Sequence, residues 1–216
     1  MISSEQEMGP QNVRWHLSTL AVRPNLQADV EALIEEAFNY TPPYKYGEDF
    51  YLLFAENAAH NHLIMAGTQL IGHIGVRLVT LTYQGQSLPA AFLGGIALKP
   101  AWRGQGIFKA ALPQVLKLYE PQVAFFLLWS DQAQLYAQFG FAQAGSVLQL
   151  GARTDIQPWL AAQQWRPYFP AATNFNDESG RAIQKYYQAQ IQNTLAIERT
   201  AHDWALLASL KSAQFF

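Results

Sequence analysis

Hydrophobic and polar positions alternate along the first half of the chain in a way that switches period several times. Trp15 to Val22 reads as a strand. Val30, Leu33, Ile34, Ala37 and Phe38 then recur at helical spacing, with Glu35 and Glu36 on the wet side. Tyr40 to Gly47, rich in aromatics and turn formers, breaks that helix. His62 to Ala66 and Gln69 to Tyr83 predict two antiparallel strands joined at Gly67-Thr68. Gln84-Gly85-Gln86 makes the next turn. The nearly unbroken apolar run Ala91 to Leu98 predicts a central strand covered on both faces.

After Pro100 the period returns to helical, from about Gly104 to Tyr119, with Ile107, Ala111, Val115 and Leu118 as the apolar stripe. Pro113 inside this helix is expected to delete one backbone bond and bend the axis. Val123 to Trp129 predicts another buried strand. Asp131 and Gln134 have the spacing of a capping box for a short helix ending at Gly140. Phe141 to Leu150 reads as a strand. The order is β-α-β-β-β-α-β-α-β, helices packed on one sheet. Residues 166–180 read as irregular. Ile183, Tyr187, Ile191 and Leu195 then predict an amphipathic helix, and a further one covers Asp203–Leu210.

Composition narrows the function classes. Half of the 216 residues are hydrophobic and 13% are aromatic, enough for a sizeable core. A net charge of −2 carries no footprint for nucleic acid or an anionic membrane. There are no cysteines, which excludes disulfides, thiolate metal sites and a cysteine nucleophile and fits a cytoplasmic setting. No apolar run approaches membrane-spanning length, since His73 and Arg77 interrupt Leu70–Leu81, and residues 1–10 lack a signal pattern.

The informative segment is Leu98-Lys-Pro-Ala-Trp-Arg-Gly-Gln-Gly-Ile-Phe108, set between a buried strand and a helix. Gly104 and Gly106 let the backbone approach a ligand, and the first turn of the helix presents unpaired N–H groups and a positive dipole end. A tight connection with no ligand has the same local pattern. About thirty residues on comes Leu128-Trp-Ser-Asp-Gln-Ala-Gln-Leu-Tyr-Ala-Gln-Phe-Gly-Phe141: buried strand, short helix bearing Tyr136, then Gly140-Phe141. Together the two segments resemble the GNAT superfamily of acyl-CoA-dependent N-acyltransferases. Arg103 and Gly106 stand in its phosphate-loop pattern, and Tyr136, Gly140 and Phe141 stand in its second signature.

The resemblance implies an α/β (α+β) fold with a mixed, mostly antiparallel central sheet flanked by helices. It assigns residues 1–150 to the acetyltransferase domain and leaves 151–216 as a partly helical C-terminal extension. It implies acetyl-CoA as co-substrate, without a metal. The pantetheine arm is expected along Ile96, Ala97 and Leu98, and the pyrophosphate on Arg103, Gly104, Gln105, Gly106, Ile107 and Phe108. Tyr136 is expected near the sulfur, where a phenol with an ordinary pKa near 10 can protonate the departing thiolate.

Phe108 departs from the family pattern, which has a small residue there, so its side chain must turn away from the cofactor or the loop must shift. The strand Ala91–Leu98 lacks the carboxylate that many relatives use as general base; Asp131, His73, Glu48 or ordered water are the alternatives. Asp131 also fits an N-cap, and His73 a structural histidine. His60 and His62 share a strand face, but no carboxylate cluster completes a metal site. Ser130 lacks the surroundings of an acyl-serine nucleophile.

The loop bearing Tyr40, Tyr44, Tyr46, Glu48, Asp49, Phe50 and Tyr51 is expected to border an acceptor site suited to an amine-bearing small molecule or peptide. A loop packed by its own aromatics fits the same residues. The expected activity is transfer of an acetyl group to a primary amine by direct attack in a ternary complex. A catalytically silent acyl-CoA-binding or regulatory module is the alternative. Acyl chain length stays open, as do a homodimer and the role of the extension. Neither nucleic acid nor membrane is expected as a partner.

Overall fold

The computed structural model describes residues 7–8, 14–54, 56–144, 178–192 and 194–208. A short strand β1 (Glu7–Met8) pairs with β2 (Arg14–Thr19), and β2 leads through a 3-10 turn into helix α1 (Gln27–Ala37). A four-residue helix α2 (Tyr46–Asp49) follows. Then come the antiparallel strands β3 (Asn61–Ala66), β4 (Gln69–Tyr83) and β5 (Gln86–Leu98). Helix α3 (Ile107–Tyr119), strand β6 (Phe125–Leu128) and helix α4 (Ala133–Ala137) complete the described part of the N-terminal region. Further on lie α5 (Glu178–Gln190), β7 (Ala196–Ile197) and α6 (Ala201–Ala208).

The strands line up as β1-β2-β3-β4-β5-β6, with β7 on β4. Every pairing is antiparallel except β5 with β6, so the mixed, mostly antiparallel sheet flanked by helices is as expected. Apolar side chains alternate to both faces. Ile64, Ile71, Val76, Ala91 and Leu93 meet α3, while Leu63, Met65, Leu70 and Ala97 meet α1. That double burial is why β3 and β5 read as continuous apolar runs.

Several boundaries move. The first long strand stops at Thr19, whose carbonyl turns the chain by accepting from the N–H groups of Val22 and Arg23. Phe38 sits past the end of α1 and is 53% exposed. In α3 the buried face is Ile107, Ala111, Leu112, Val115, Leu116 and Tyr119; it centres on Val115, so Leu118 falls at its margin and is exposed. The helix runs through Pro113, which faces solvent. Residues 141–144 are not strand, and the rest of the strand expected over Phe141–Leu150 lies outside the described residues. So do residues 166–177; the expected irregular stretch gives way to α5 at Glu178.

Strand β7 and helix α6 use an edge of β4 that β3 leaves open. β3 pairs with β4 only from Gln69 to Gly75, and β7 takes Leu81 and Thr82 beyond it. Between them the Asn57 side chain donates to the Val76 carbonyl at 2.6 Å. Thr200 and Asp203 cap α6 reciprocally: Asp203 Oδ2 accepts from the Thr200 N–H at 2.7 Å, and Thr200 Oγ1 accepts from the Asp203 N–H at 3.1 Å. Asp203 also holds Arg77 of β4 at 2.6 Å.

Candidate functional site

The site is built where β5 loses its second partner. β6 pairs with β5 from Ala90 to Leu93 and stops, so the stretch from Gly94 to Leu98 has an open edge among the described residues. A β-bulge falls there: Gly75 pairs with Gly94 and His73 with Ala97, leaving Gly95 and Ile96 together opposite Ile74. Gly95 takes a φ of +59°, open to glycine at little cost. His73 holds the bulge, its Nδ1 2.7 Å from the Gly95 carbonyl and its Nε2 2.8 Å from Asn61 Oδ1. Both ring nitrogens are engaged in a fully buried ring, so His73 is structural and is removed from the candidate bases. The Lys99 N–H bonds back to Ile71 of β4, so strand alternation turns the amides of Ile96 and Leu98 to the open edge and that of Ala97 toward β4.

Beyond Leu98 the chain makes a 3-10 turn over Pro100–Trp102 and enters the glycine loop. Gly104 has φ +74°, and a Cβ there would meet nothing within 4 Å, so the loop's surface is bare. Gly106 is the N-cap of α3 in the left-handed conformation, φ 76° and ψ −1°, with no side-chain cap. The first-turn N–H groups of Ile107, Phe108 and Lys109 therefore lack intrahelical acceptors and point out of the helix end. Arg103 folds back on the end of β5, its Nε donating to the Leu98 carbonyl at 2.9 Å. An extended acceptor chain on the open edge and an anion at the helix end fit these donors, which is the shape a pantetheine pyrophosphate requires.

Phe108 turns away from the loop. Its ring packs edge-on against Phe139 at 5.6 Å and Tyr136 at 6.1 Å, so a large residue is accommodated without blocking its own N–H. Tyr136 thus stands beside the first turn of α3. The spacing that leads to Phe141 has a physical cause. Gly140, φ +84°, is the left-handed residue after α4; its N–H bonds to the Ala137 carbonyl and the Phe141 N–H to that of Tyr136. That is a Schellman cap, whose usual apolar contact is here Tyr136 on Phe141, centroids 6.0 Å apart. Burial raises the Tyr136 phenol above its ordinary pKa and the Asp131 charge adds to it, against a hydrogen bond with Ser130 that lowers it. The hydroxyl stays protonated at neutral pH, as a proton donor must.

The capping box read at Asp131 is not formed. Gln132 is the N-cap of α4, its N–H bonded to Ser130 Oγ at 3.0 Å, and the Asp131 carboxylate accepts from the Gln132 side chain at 3.1 Å. The helix starts too late for Asp131 to reach its first turn. The histidine pair is also accounted for: His60 Nδ1 and His62 Nε2 lie 2.9 and 2.7 Å from the Tyr119 hydroxyl. Among the described residues no group of three His, Cys, Asp or Glu is placed to hold a metal.

On the α1 face the aromatic loop lies over the bulge. Leu53 covers Gly94, and the Tyr46 hydroxyl points at Gly95, where a methyl group would stand 2.5 Å from it. Tyr46 stacks on Phe50 at 5.0 Å and meets Phe54 and Tyr40 edge-on. Glu31, to which the periodicity gave no role, and Glu35, which it placed on the wet side and which is half-buried, fix this loop. Glu35 Oε1 accepts from the Tyr46 N–H at 2.9 Å, and Glu31 Oε1 from the Gly47 N–H at 2.8 Å. Their i, i+4 spacing on α1 was the available signal. Burial, then Asp49 and Glu35, push the Tyr40 phenol up to about 12. Tyr44 and Phe50 are exposed, as is Glu48.

A bulged strand with an open edge, running into an uncapped glycine loop beside a protonated tyrosine, defines a domain of the acyl-CoA-dependent transferase type. The family model described as an acetyltransferase (GNAT) domain matches residues 23–144, more than half of the chain. The chain belongs to that family of acyltransferases. Among solved structures it resembles a probable N-acyltransferase of unknown function from Enterococcus faecalis V583, with TM-score 0.50 and 22% identity over 58% of this chain and 32% of that one. It also resembles a predicted acetyltransferase with acetyl-CoA from Clostridium acetobutylicum, TM-score 0.51 and 13% identity over 63% of this chain and 94% of that one. At these identities the likeness is one of fold. The chain thus matches about a third of the length of the Enterococcus protein. No curated protein matches the sequence.

Proposed function

We propose that the chain is an N-acetyltransferase that moves an acetyl group from acetyl-CoA to a primary amine by direct attack in a ternary complex. The observation that carries this is the continuous path from the open edge of β5 to the uncapped N-terminus of α3, with Tyr136 beside it. Backbone groups of Ile96, Ala97 and Leu98 border the pantetheine. Arg103, Gly104, Gln105, Gly106, Ile107 and Phe108 hold the pyrophosphate through their amides and the Arg103 charge. Acetyl-CoA supplies the activated acyl group. The neutral amine nitrogen bonds to the carbonyl carbon, the C–S bond breaks, and Tyr136 gives its proton to the sulfur. Glu48 and Asp131, both exposed carboxylates, or ordered water can take the proton that the amine must shed.

The aromatic loop Tyr40–Tyr51 supports an acceptor that joins a cation to an apolar body, in a small molecule or a peptide. The lack of cysteine supports a cytoplasmic setting. It also leaves a thiol-reagent assay of CoA release without background from the protein. In that assay against an amine panel, Tyr136→Phe is expected to lower turnover by about a hundredfold, with acetyl-CoA affinity within about twofold of wild type. Equal turnover in the variant removes Tyr136 from the chemistry. Binding without CoA release from any amine leaves a silent acyl-CoA-binding module.

A further inference from the structure

Tyr46 is 3% exposed, and its hydroxyl has no hydrogen-bond partner among the described residues. A buried hydroxyl without a partner is unfavourable, and a phenylalanine would fill the same space without that penalty. The position of the oxygen is also well determined. The ring is held by Phe50, Phe54 and Tyr40, and the Tyr46 backbone is tied to Glu35. The oxygen lies against Gly95, in the bulge just past the last β5–β6 pair, Leu93 with Leu128. Gly95 lies two residues past that pair, so the oxygen stands on the α1 face of the open-edged stretch of β5. Tyr46 belongs to the α1 face of the sheet and Tyr136 to the α3 face, so the two hydroxyl-bearing rings flank β5 from opposite sides.

We infer that the Tyr46 hydroxyl donates a hydrogen bond to the carbonyl oxygen of a thioester bound along β5. The inference rests on the acetyl-CoA reading above. The bond orients the acyl group and takes up the negative charge that gathers on that oxygen as the amine adds to the carbon. Tyr46 keeps its own proton throughout; the proton delivered to sulfur comes from Tyr136. Burial, with Tyr40 adding, holds the Tyr46 phenol above its ordinary pKa and so keeps it a donor. The hydroxyl faces the strand and not the outer side of the loop, which assigns it to the acyl donor and not to the acceptor amine.

The test compares wild type with Tyr46→Phe in three measurements: melting temperature without ligand, affinity for acetyl-CoA, and affinity for CoA, which has no acyl carbonyl. The expected result is a melting temperature equal to or above wild type, because the lost hydroxyl bonds to nothing in the free protein. Acetyl-CoA should bind about tenfold more weakly and CoA within about twofold of wild type. Equal loss for both ligands, or for neither, overturns the inference while wild-type binding still upholds the acetyl-CoA reading. A markedly lower melting temperature overturns it too, since the hydroxyl would then be paired in the free protein. Failure of wild type to bind either ligand overturns the reading and the inference together.

Discussion

Gly95→Ala tests whether the bulge and the aromatic loop are packed as described. Two costs combine. At φ +59° an L-residue costs about 1–2 kcal/mol more than glycine. The new methyl group would stand 2.5 Å from the Tyr46 oxygen, 3.1 Å from its Cζ and 3.2 Å from Ile34 Cδ1. Overpacking of that kind adds about 1–3 kcal/mol, because Tyr46 is wedged between Phe50 and Phe54 and cannot swing aside freely. The expected destabilisation is roughly 2–5 kcal/mol, or about 5–15 °C in Tm for a chain of this size. Urea unfolding followed by the fluorescence of the six tryptophans gives the number directly. Adding Tyr46→Phe removes the nearest atom and should recover about 1 kcal/mol, a coupling that a double-mutant cycle isolates. Gly95→Ala within about 0.5 kcal/mol of wild type, or no recovery in the double variant, would refute the packing on which the acyl-site geometry depends.

Two further outcomes follow from groups outside the site. Asp203→Ala removes the α6 cap and leaves the partly buried Arg77 without its 2.6 Å partner, so unfolding should become easier by about 3 kcal/mol; a loss under about 1 kcal/mol contradicts the docking of α6 on β4. Burial lowers the His62 pKa from 6.5 to about 4, so the unfolded chain binds the extra proton first. Stability is complete above pH 6.5 and declines as pH falls toward 4, by about 3 kcal/mol for this group. Unfolding free energies at pH 7 and pH 4.5 should therefore differ less in His62→Gln than in wild type, and an equal difference refutes the assignment.

Legibility in the sequence tracked how local each feature is. The glycine loop and the Tyr136–Gly140–Phe141 segment could be read because their geometry is set within six residues by left-handed glycines and one helix cap. The same held for β3 and β4, whose turn and apolar alternation are local. Asp131 misled because a capping-box spacing says nothing about where the helix starts, and the Ser130–Gln132 turn delays it. Leu118 misled because the α3 stripe is defined by the sheet it meets, not by the helix alone. The Glu31 and Glu35 contacts reach 16 and 11 positions along the chain; the i, i+4 spacing marks a shared helix face but not what that face meets. The two residues of β7 are strand only because β3 is shorter than β4 and leaves Leu81 and Thr82 unpaired on that side.

The central claim is that the edge of β5 and the Arg103–Phe108 loop bind acetyl-CoA. Titration of acetyl-CoA into the protein, followed by heat and by melting temperature, tests it most directly. Saturable binding is predicted, with about 2.7 kcal/mol of stabilisation at a hundred times the dissociation constant. The binding should be abolished in Gly106→Glu, where a side chain and a negative charge enter the anion site. No binding at millimolar ligand, or binding that Gly106→Glu leaves intact, would contradict the account.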